Sequence, residues 1–217
     1  MSYEEIQRNI QNQIKFEDGI NIQRLDAIFR LLKNKSGKLL DVGCSEGKFI
    51  IEYQKKGFEC EGIDISDKAI ENGKRRGLDI KKVDITQKLP YKDETFDIIC
   101  CGQVLEHVLD PLPVVRDMHR ILKKNGNLII TVPNINMFRN LFLILLGKPL
   151  AYSCRFDSPH YRDFCKTEAI RILKKGGFKN IKITGDKLNI PYWKGKLIRL
   201  TPYIPRFCDN LVLRGTK

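Results

Sequence analysis

Short apolar segments alternate with helix-period segments along most of this chain, and that alternation limits the fold more than any other feature. "KLLDVG", "FECEGIDIS", "LDIKKVDI", "TFDIICCG" and "GNLIITVP" read as five strands, and between most of them stand helices with their own stop signals. Gly47 to Lys56 forms one helix, and Gly57 marks the turn after it. A second is capped by Ser66 and ended by Gly77, and a third covers Pro111 to Leu122. Before the strands, Ile22, Leu25, Ile28, Phe29 and Leu32 fall at helical spacing within Gly19 to Leu32. After them come a helix over Lys166 to Lys175 ending at Gly176 and Gly177, a strand "FKNIKIT" and a last strand "DNLVLRG". Such alternation predicts an α/β fold, a mostly parallel sheet with helices on both faces. Ligands of such sheets sit beyond the carboxyl ends of the strands, where strand order reverses.

At 217 residues the chain is expected to form one domain, 1–217. Residues 1–37 form an N-terminal helical cap, 38–133 the ligand-binding core, 134–165 an insertion on the substrate side, and 166–217 a C-terminal helix and strands. The seven cysteines include no C-x-x-C pair, and Cys100 and Cys101 are adjacent in a strand. That pattern predicts reduced thiols and a cytoplasmic setting. "MSYEEIQRNIQNQ" has no apolar core of the signal-peptide kind, and no run is long enough to span a bilayer.

The turn in "LLDVGCSEGKF" leads from a buried strand into a helix and should offer free N–H groups at the helix N-terminus. Gly43 and Gly47 would let a ligand approach the backbone. A phosphate loop needs four residues between its glycines and Ser or Thr after the lysine; here there are three, and Phe49 follows Lys48. The dinucleotide fingerprint G-x-G-x-x-G also fails, because Ser45 stands at its second glycine. A purely structural turn leaves the next feature unexplained. Asp64 closes the second strand, 17 residues after Gly47, and Asp84 closes the third, 20 residues later. The first is placed to accept from a ribose diol and the second from an adenine amino group.

These segments, with "LPYKDETFDIICCGQVLEHVLDP" and "RILKKNGNLIITVPN", resemble class I S-adenosylmethionine-dependent methyltransferases. The likeness is to the small-molecule group that includes quinone and sugar O-methyltransferases. "SPHYRDFCKTEAIRILKKGGFKNIKIT" extends it toward methyltransferases associated with surface glycans. The resemblance implies a Rossmann-like, seven-stranded sheet whose last strand, near Leu211 to Arg214, runs antiparallel. It implies that Asp41, Gly43, Cys44 and Gly47 hold the methionine end of S-adenosylmethionine, with Asp64 on the ribose and Asp84 beside the adenine. Ile65 and Ile85 would sandwich the ring, and Gln103 would close the site. Ser45 departs from the family, which commonly has glycine there. Methyl transfer needs alignment, and a base if the acceptor is a hydroxyl. Glu106, His107 and His160 are the candidates for that role, while His119 reads as a surface residue. No H-E-x-x-H, paired-cysteine motif or close carboxylate trio is present, so metal independence is expected.

The acceptor is constrained mainly by charge. Residues 1–109 carry 18 Lys and Arg against 19 Asp and Glu, whereas the rest of the chain carries 21 against 7. The half that should frame the acceptor is thus strongly basic, which suits an anionic small molecule or glycan, phosphate- or lipid-linked. Nucleic acid is a weaker alternative, since "CCGQVLEH" lacks the Asn/Asp-Pro-Pro-aromatic turn of amino-group methylation and there is no Pro-Cys nucleophile. "MFRNLFLILLGKPL" and "YWKGKLIRLTPYIPRF" interleave apolar and aromatic residues with Arg139, Lys148, Lys194, Lys196, Arg199 and Arg206, which raises peripheral membrane contact. A nicotinamide oxidoreductase on a related sheet and a non-catalytic cofactor-binding protein remain alternatives; cofactor binding separates the first, and turnover the second.

Overall fold

The computed structural model describes residues 21–32, 36–150, 160–191, 197–200 and 205–217. The acidic N-terminal segment, Cys154, Lys194 and Lys196 lie outside the described residues. Helix α1, Ile22–Leu31, starts where the Asn21 side chain accepts from the Arg24 N–H, and it buries Leu25, Ala27, Ile28 and Leu31. Strand β1, Gly37–Val42, leads into α2, Lys48–Lys55; β2, Phe58–Asp64, leads into α3, Asp67–Arg75, whose N-cap is Ser66. Strand β3 is short, Ile80–Lys82, so the expected third strand stops before Asp84. Then follow β4, Phe96–Gly102; α4, Pro111–Ile121, capped by Asp110; and β5, Leu122–Pro133, which begins directly where α4 ends. Helix α5, Phe138–Leu145, lies in the insertion, and α6, Lys166–Lys175, follows it. The chain ends with β6, Lys179–Gly185, a hairpin of β7, Leu188–Pro191, and β8, Leu197–Leu200, and finally β9, Asn210–Thr216. The β7–β8 pair is antiparallel and is an addition to the strands the sequence predicts.

The main sheet has seven strands in the order β3-β2-β1-β4-β5-β9-β6. The first five are mutually parallel, and β9 is antiparallel to both β5 and β6. Two-residue periodicity sends neighbours to opposite faces. Leu40, Ile99, Cys101, Ile130 and Leu213 pack on one side with α4 and α6 residues such as Met118 and Leu173. Leu39, Ile98, Cys100, Ile129 and Val212 pack on the other with α1 and Tyr53. The strands are therefore continuous apolar runs because both faces are covered. His119 is half-buried rather than fully exposed: its ring meets Phe178 edge to face at 5.0 Å, and burial pushes its pKa down.

The chain runs outward from β1 to β3 and then crosses back to β4, so the topological switch falls between the carboxyl ends of β1 and β4. Gly43 follows β1 there, with φ +70°, and a Cβ on it would lie 2.3 Å from the Cγ2 of Val104, just past β4. The two strand ends can close this tightly only without that side chain.

Candidate active site

The turn after β1 spends its own donors. The N–H groups of Gly43 and Cys44 donate to the Ile63 carbonyl at 2.8 and 3.1 Å, and Gly47 N–H donates to the Cys44 carbonyl at 2.9 Å. Ser45 N–H donates to Oδ2 of Asp64 at 2.8 Å. Four amides of the turn, those of Gly43, Cys44, Ser45 and Gly47, are thus engaged within it, which narrows the expected free N–H groups to those of the first turn of α2. Ser45 takes the left-handed conformation, φ +50°, that a glycine would adopt without strain, and its bond to Asp64 offsets part of that cost.

What converges on the crevice is acceptors. Asp64 is 6% exposed, and its other oxygen accepts from Ser66 N–H at 2.9 Å. Burial raises its pKa, and the backbone N–H groups of Ser66, Ser45 and Ile65 oppose the rise. A carboxylate has about four lone-pair positions, so acceptor capacity is left for two ribose hydroxyls. Val83 N–H donates to the Asp64 carbonyl at 2.9 Å, which fixes Asp84 just beyond it. Oδ1 of Asp84 accepts from the N–H and hydroxyl of Thr86 at 2.9 and 2.7 Å. Ile65 and Ile85 are half-buried at these same ends of β2 and β3, and Ile85 packs on the core. Asp41 is buried on β1, and its carboxyl is pushed up to about 7 by burial and by Asp64, against the pull of Arg24. The Cys44 side chain packs with Ile50, Ile70, Leu78 and Ile80, and burial pushes its thiol up, so only its backbone is on offer to a ligand.

Arg24 is a residue that sequence reasoning missed. Its guanidinium lies 4.9 Å over the Phe49 ring, and its buried Nε has no hydrogen-bond partner in the structure. Burial lowers its pKa, while Asp186, Tyr53, Glu106 and Asp41 pull it up. A single arginine on an amphipathic helix carries no sequence signal of such a position.

At the end of β4, Gln103 turns with φ +58°, its N–H on the Thr131 carbonyl at 2.8 Å and its Nε2 near Thr131 Oγ1 at 3.3 Å. A 3-10 turn, Leu105–His107, follows. Glu106 is 1% exposed, neither carboxylate oxygen has a partner, and burial pushes its pKa up to about 8 despite its own backbone N–H and Arg24. Its carbonyl accepts from Tyr161 and Arg162 N–H at 2.9 and 3.2 Å, which anchors the end of the insertion over the crevice. The His107 and His160 rings consequently meet edge to face with centroids 4.9 Å apart. Burial, then the His107 charge, holds His160 down at about 4, with Asp163 opposing. Ligand atoms of Glu106, His107 and His160 all lie within 4.8 Å of one another, so all three base candidates share one place. That spacing could also hold a metal ion, an arrangement no local motif announces because it joins residues distant in sequence.

A switch-point crevice rich in carboxylate acceptors, with the Arg24 guanidinium coupled to Glu106 and Asp41, suits a ligand that is itself rich in donors and positive charge. A sulfonium with an amino group, a ribose diol and an adenine amino group has those properties. The class so defined is a Rossmann-like α/β protein with its crevice at the topological switch point. Residues 11–183 match the methyltransferase domain family, and the chain belongs to it. The ubiquinone biosynthesis O-methyltransferase of Aliivibrio fischeri is 27% identical over 194 residues, 83% of this chain and 81% of that protein. A protein of Methanocaldococcus jannaschii is 33% identical over 153 residues, 68% and 67% of the two chains. The crystal structure of an S-adenosylmethionine-dependent methyltransferase from Thermotoga maritima shares the fold, with TM-score 0.72, 21% identity and 99% and 98% coverage. One from Archaeoglobus fulgidus gives 0.68 at 18% identity, covering 92% and 95%. The protein is an S-adenosylmethionine-dependent methyltransferase.

Proposed function

We propose that this enzyme methylates a hydroxyl group on a small molecule or sugar, with an anionic, phosphate- or lipid-linked acceptor the favoured kind. The observation that carries the reading is the meeting of His107 and His160 beside buried Glu106. A sulfonium needs no activation to give up its methyl group, whereas a hydroxyl acceptor must lose a proton as it attacks. His160, neutral above about pH 4, can take that proton, and His107 lies next to it to share the charge. Glu106 holds a proton up to about pH 8, so its carboxyl puts no negative charge beside the pair around neutrality. On this reading no metal takes part.

S-adenosylmethionine supplies the methyl group when bound. Asp64 would hold its ribose, Asp84 its adenine amino group, and Ile65 and Ile85 the ring faces. Asp41, Arg24 and the backbone of Gly43, Cys44 and Gly47 would hold the amino-acid end, and Gln103 would border the reacting centre. A shallow concavity beyond β5, bordered by Asn134, Asn140, Arg162 and Asp163, would form part of the acceptor's border. Arg162 there is exposed and donates through Nε to the Leu109 carbonyl at 2.7 Å, which holds its charge at the rim.

The names of the Aliivibrio fischeri relatives support O-methylation as the reaction type. The test is turnover with methyl-labelled cofactor across catechols, nucleotide sugars, glycolipids and tRNA. Label in a base-stable, hydroxyl-derived ether supports the proposal; label confined to tRNA or to amines overturns it.

A further inference from the structure

We propose that the tip of α5 inserts into a lipid bilayer with anionic headgroups and seats the enzyme on that surface. Within α5 and its C-cap only Asn140 is buried. Leu141 and Phe142 are 40% and 46% exposed, and Ile144, Leu145 and Leu146 are 60%, 82% and 64% exposed. Exposure thus rises toward the C-terminal end, where Gly147 turns the chain with φ +62°. A soluble helix would put its apolar residues inward; this one presents them outward at its far end.

The pattern fits a bilayer better than a protein groove. At about 100° per residue, Leu141, Phe142, Ile144, Leu145 and Leu146 cover an arc of roughly 200°, about twice the stripe a helix lays into a groove. A bilayer surrounds the inserted tip and needs no single stripe. Charge gives the complementarity. No Asp or Glu occurs from Met118 to Phe156, while Arg139 and Lys148 flank the apolar run and both are exposed. Helix α5 sits against β7, which lies in a second acid-free stretch from Lys187 to Cys208 whose described cations include Lys187 and exposed Arg206. Cations close to an anionic leaflet each strengthen partition, by roughly fivefold.

The location has a functional consequence. Helix α5 springs from the carboxyl end of β5, and Met137 and Asn140 at its root border the same concavity as Arg162 and Asp163. Seating the tip in a membrane brings that mouth to the lipid surface. The proposal is separate from the identity of the acceptor, and methyl transfer can stand if it fails.

The test is co-sedimentation of the full chain with vesicles of phosphatidylcholine alone, or with one third phosphatidylglycerol, at low and high salt. Binding to the anionic vesicles, weakened by salt, is expected. The variant Leu145→Gln/Leu146→Gln should lose at least about tenfold in partition, with melting temperature and cofactor binding unchanged, and Lys148→Glu should erase the preference for phosphatidylglycerol. The proposal is overturned if the wild-type chain does not sediment with anionic vesicles, or if the double glutamine variant sediments as the wild type does. A wild-type dimer that the double variant dissolves into monomers also overturns it, since a second copy would then cover the tip.

Discussion

His107 and His160 stand edge to face with ring centroids 4.9 Å apart, although 53 residues separate them in the chain. Two backbone hydrogen bonds from Tyr161 and Arg162 to the Glu106 carbonyl make the meeting possible, since they fix the return of the insertion onto the turn that carries His107. If this pair takes the acceptor proton, His160→Gln or His107→Gln should lower kcat by about 10² to 10⁴. Cofactor affinity should stay near the wild-type value. The loss should shrink at high pH, where the acceptor hydroxyl ionises unaided, a recovery that a merely structural histidine would not show. A pH profile of kcat for both variants, with calorimetry of cofactor binding, checks this.

The same cluster separates proton chemistry from metal chemistry. Glu106, His107 and His160 could ligate a divalent ion, but Glu106 would first have to give up a proton that burial holds to about pH 8. Dialysis against a chelator is therefore expected to leave turnover unchanged at pH 7. Loss of activity that magnesium, manganese or zinc restores would assign the cluster to a metal instead.

Glu106 also ties stability to pH. Its folded-state pKa, about 8, lies above the ordinary value of 4.5, because burial disfavours the charge more than its own backbone N–H and Arg24 favour it. A raised pKa means that the folded state holds its proton more tightly than the unfolded state. The stabilisation is complete below about pH 4.5 and is lost as pH rises through about 8. Asp41, pushed up to about 7, acts in the same direction. Glu106→Gln keeps the shape and removes the titration. It should melt near the wild type at pH 4.5 and above it at pH 9, by an amount worth a few kcal/mol. Thermal melts across that range measure it.

Parts of the site carry local signals and were legible in the sequence. Asp64 and Asp84 close predicted strands, and Gly43 and Gly47 bracket a strand-to-helix turn, so short windows suffice to find them. Glu106, His107 and His160 each qualify alone as a base, but only the folded insertion brings them together. Arg24 carries no sequence signal because its setting arises from burial, from the Phe49 ring and from the charges of Asp186, Glu106 and Asp41, which one residue of an amphipathic helix does not disclose. The loop amides were misjudged for a related reason. Counting donors in a turn does not reveal that the Ile63 carbonyl, the Cys44 carbonyl and the Asp64 carboxylate already take them. His119 seemed exposed because its partner, Phe178, lies past the end of another helix.

The contact between Gly43 and Val104 allows the sharpest test of the crevice itself. Gly43 has φ +70°, where a side chain costs about 1–3 kcal/mol, and its Cβ would also overlap Val104 Cγ2 at 2.3 Å. Two penalties of different origin thus fall on one substitution. Gly43→Ala should lower the melting temperature and weaken cofactor binding, because the turn after β1 and the turn after β4 must move apart. Val104→Ala in the same chain removes the overlap and leaves the backbone strain. The double variant should therefore recover part of the stability lost by Gly43→Ala, and cofactor affinity should recover with it. If the double variant is no better than Gly43→Ala, the two strand ends are not held by this contact, and the glycine serves its backbone conformation alone. Thermal melts and cofactor titration of the three variants distinguish the outcomes.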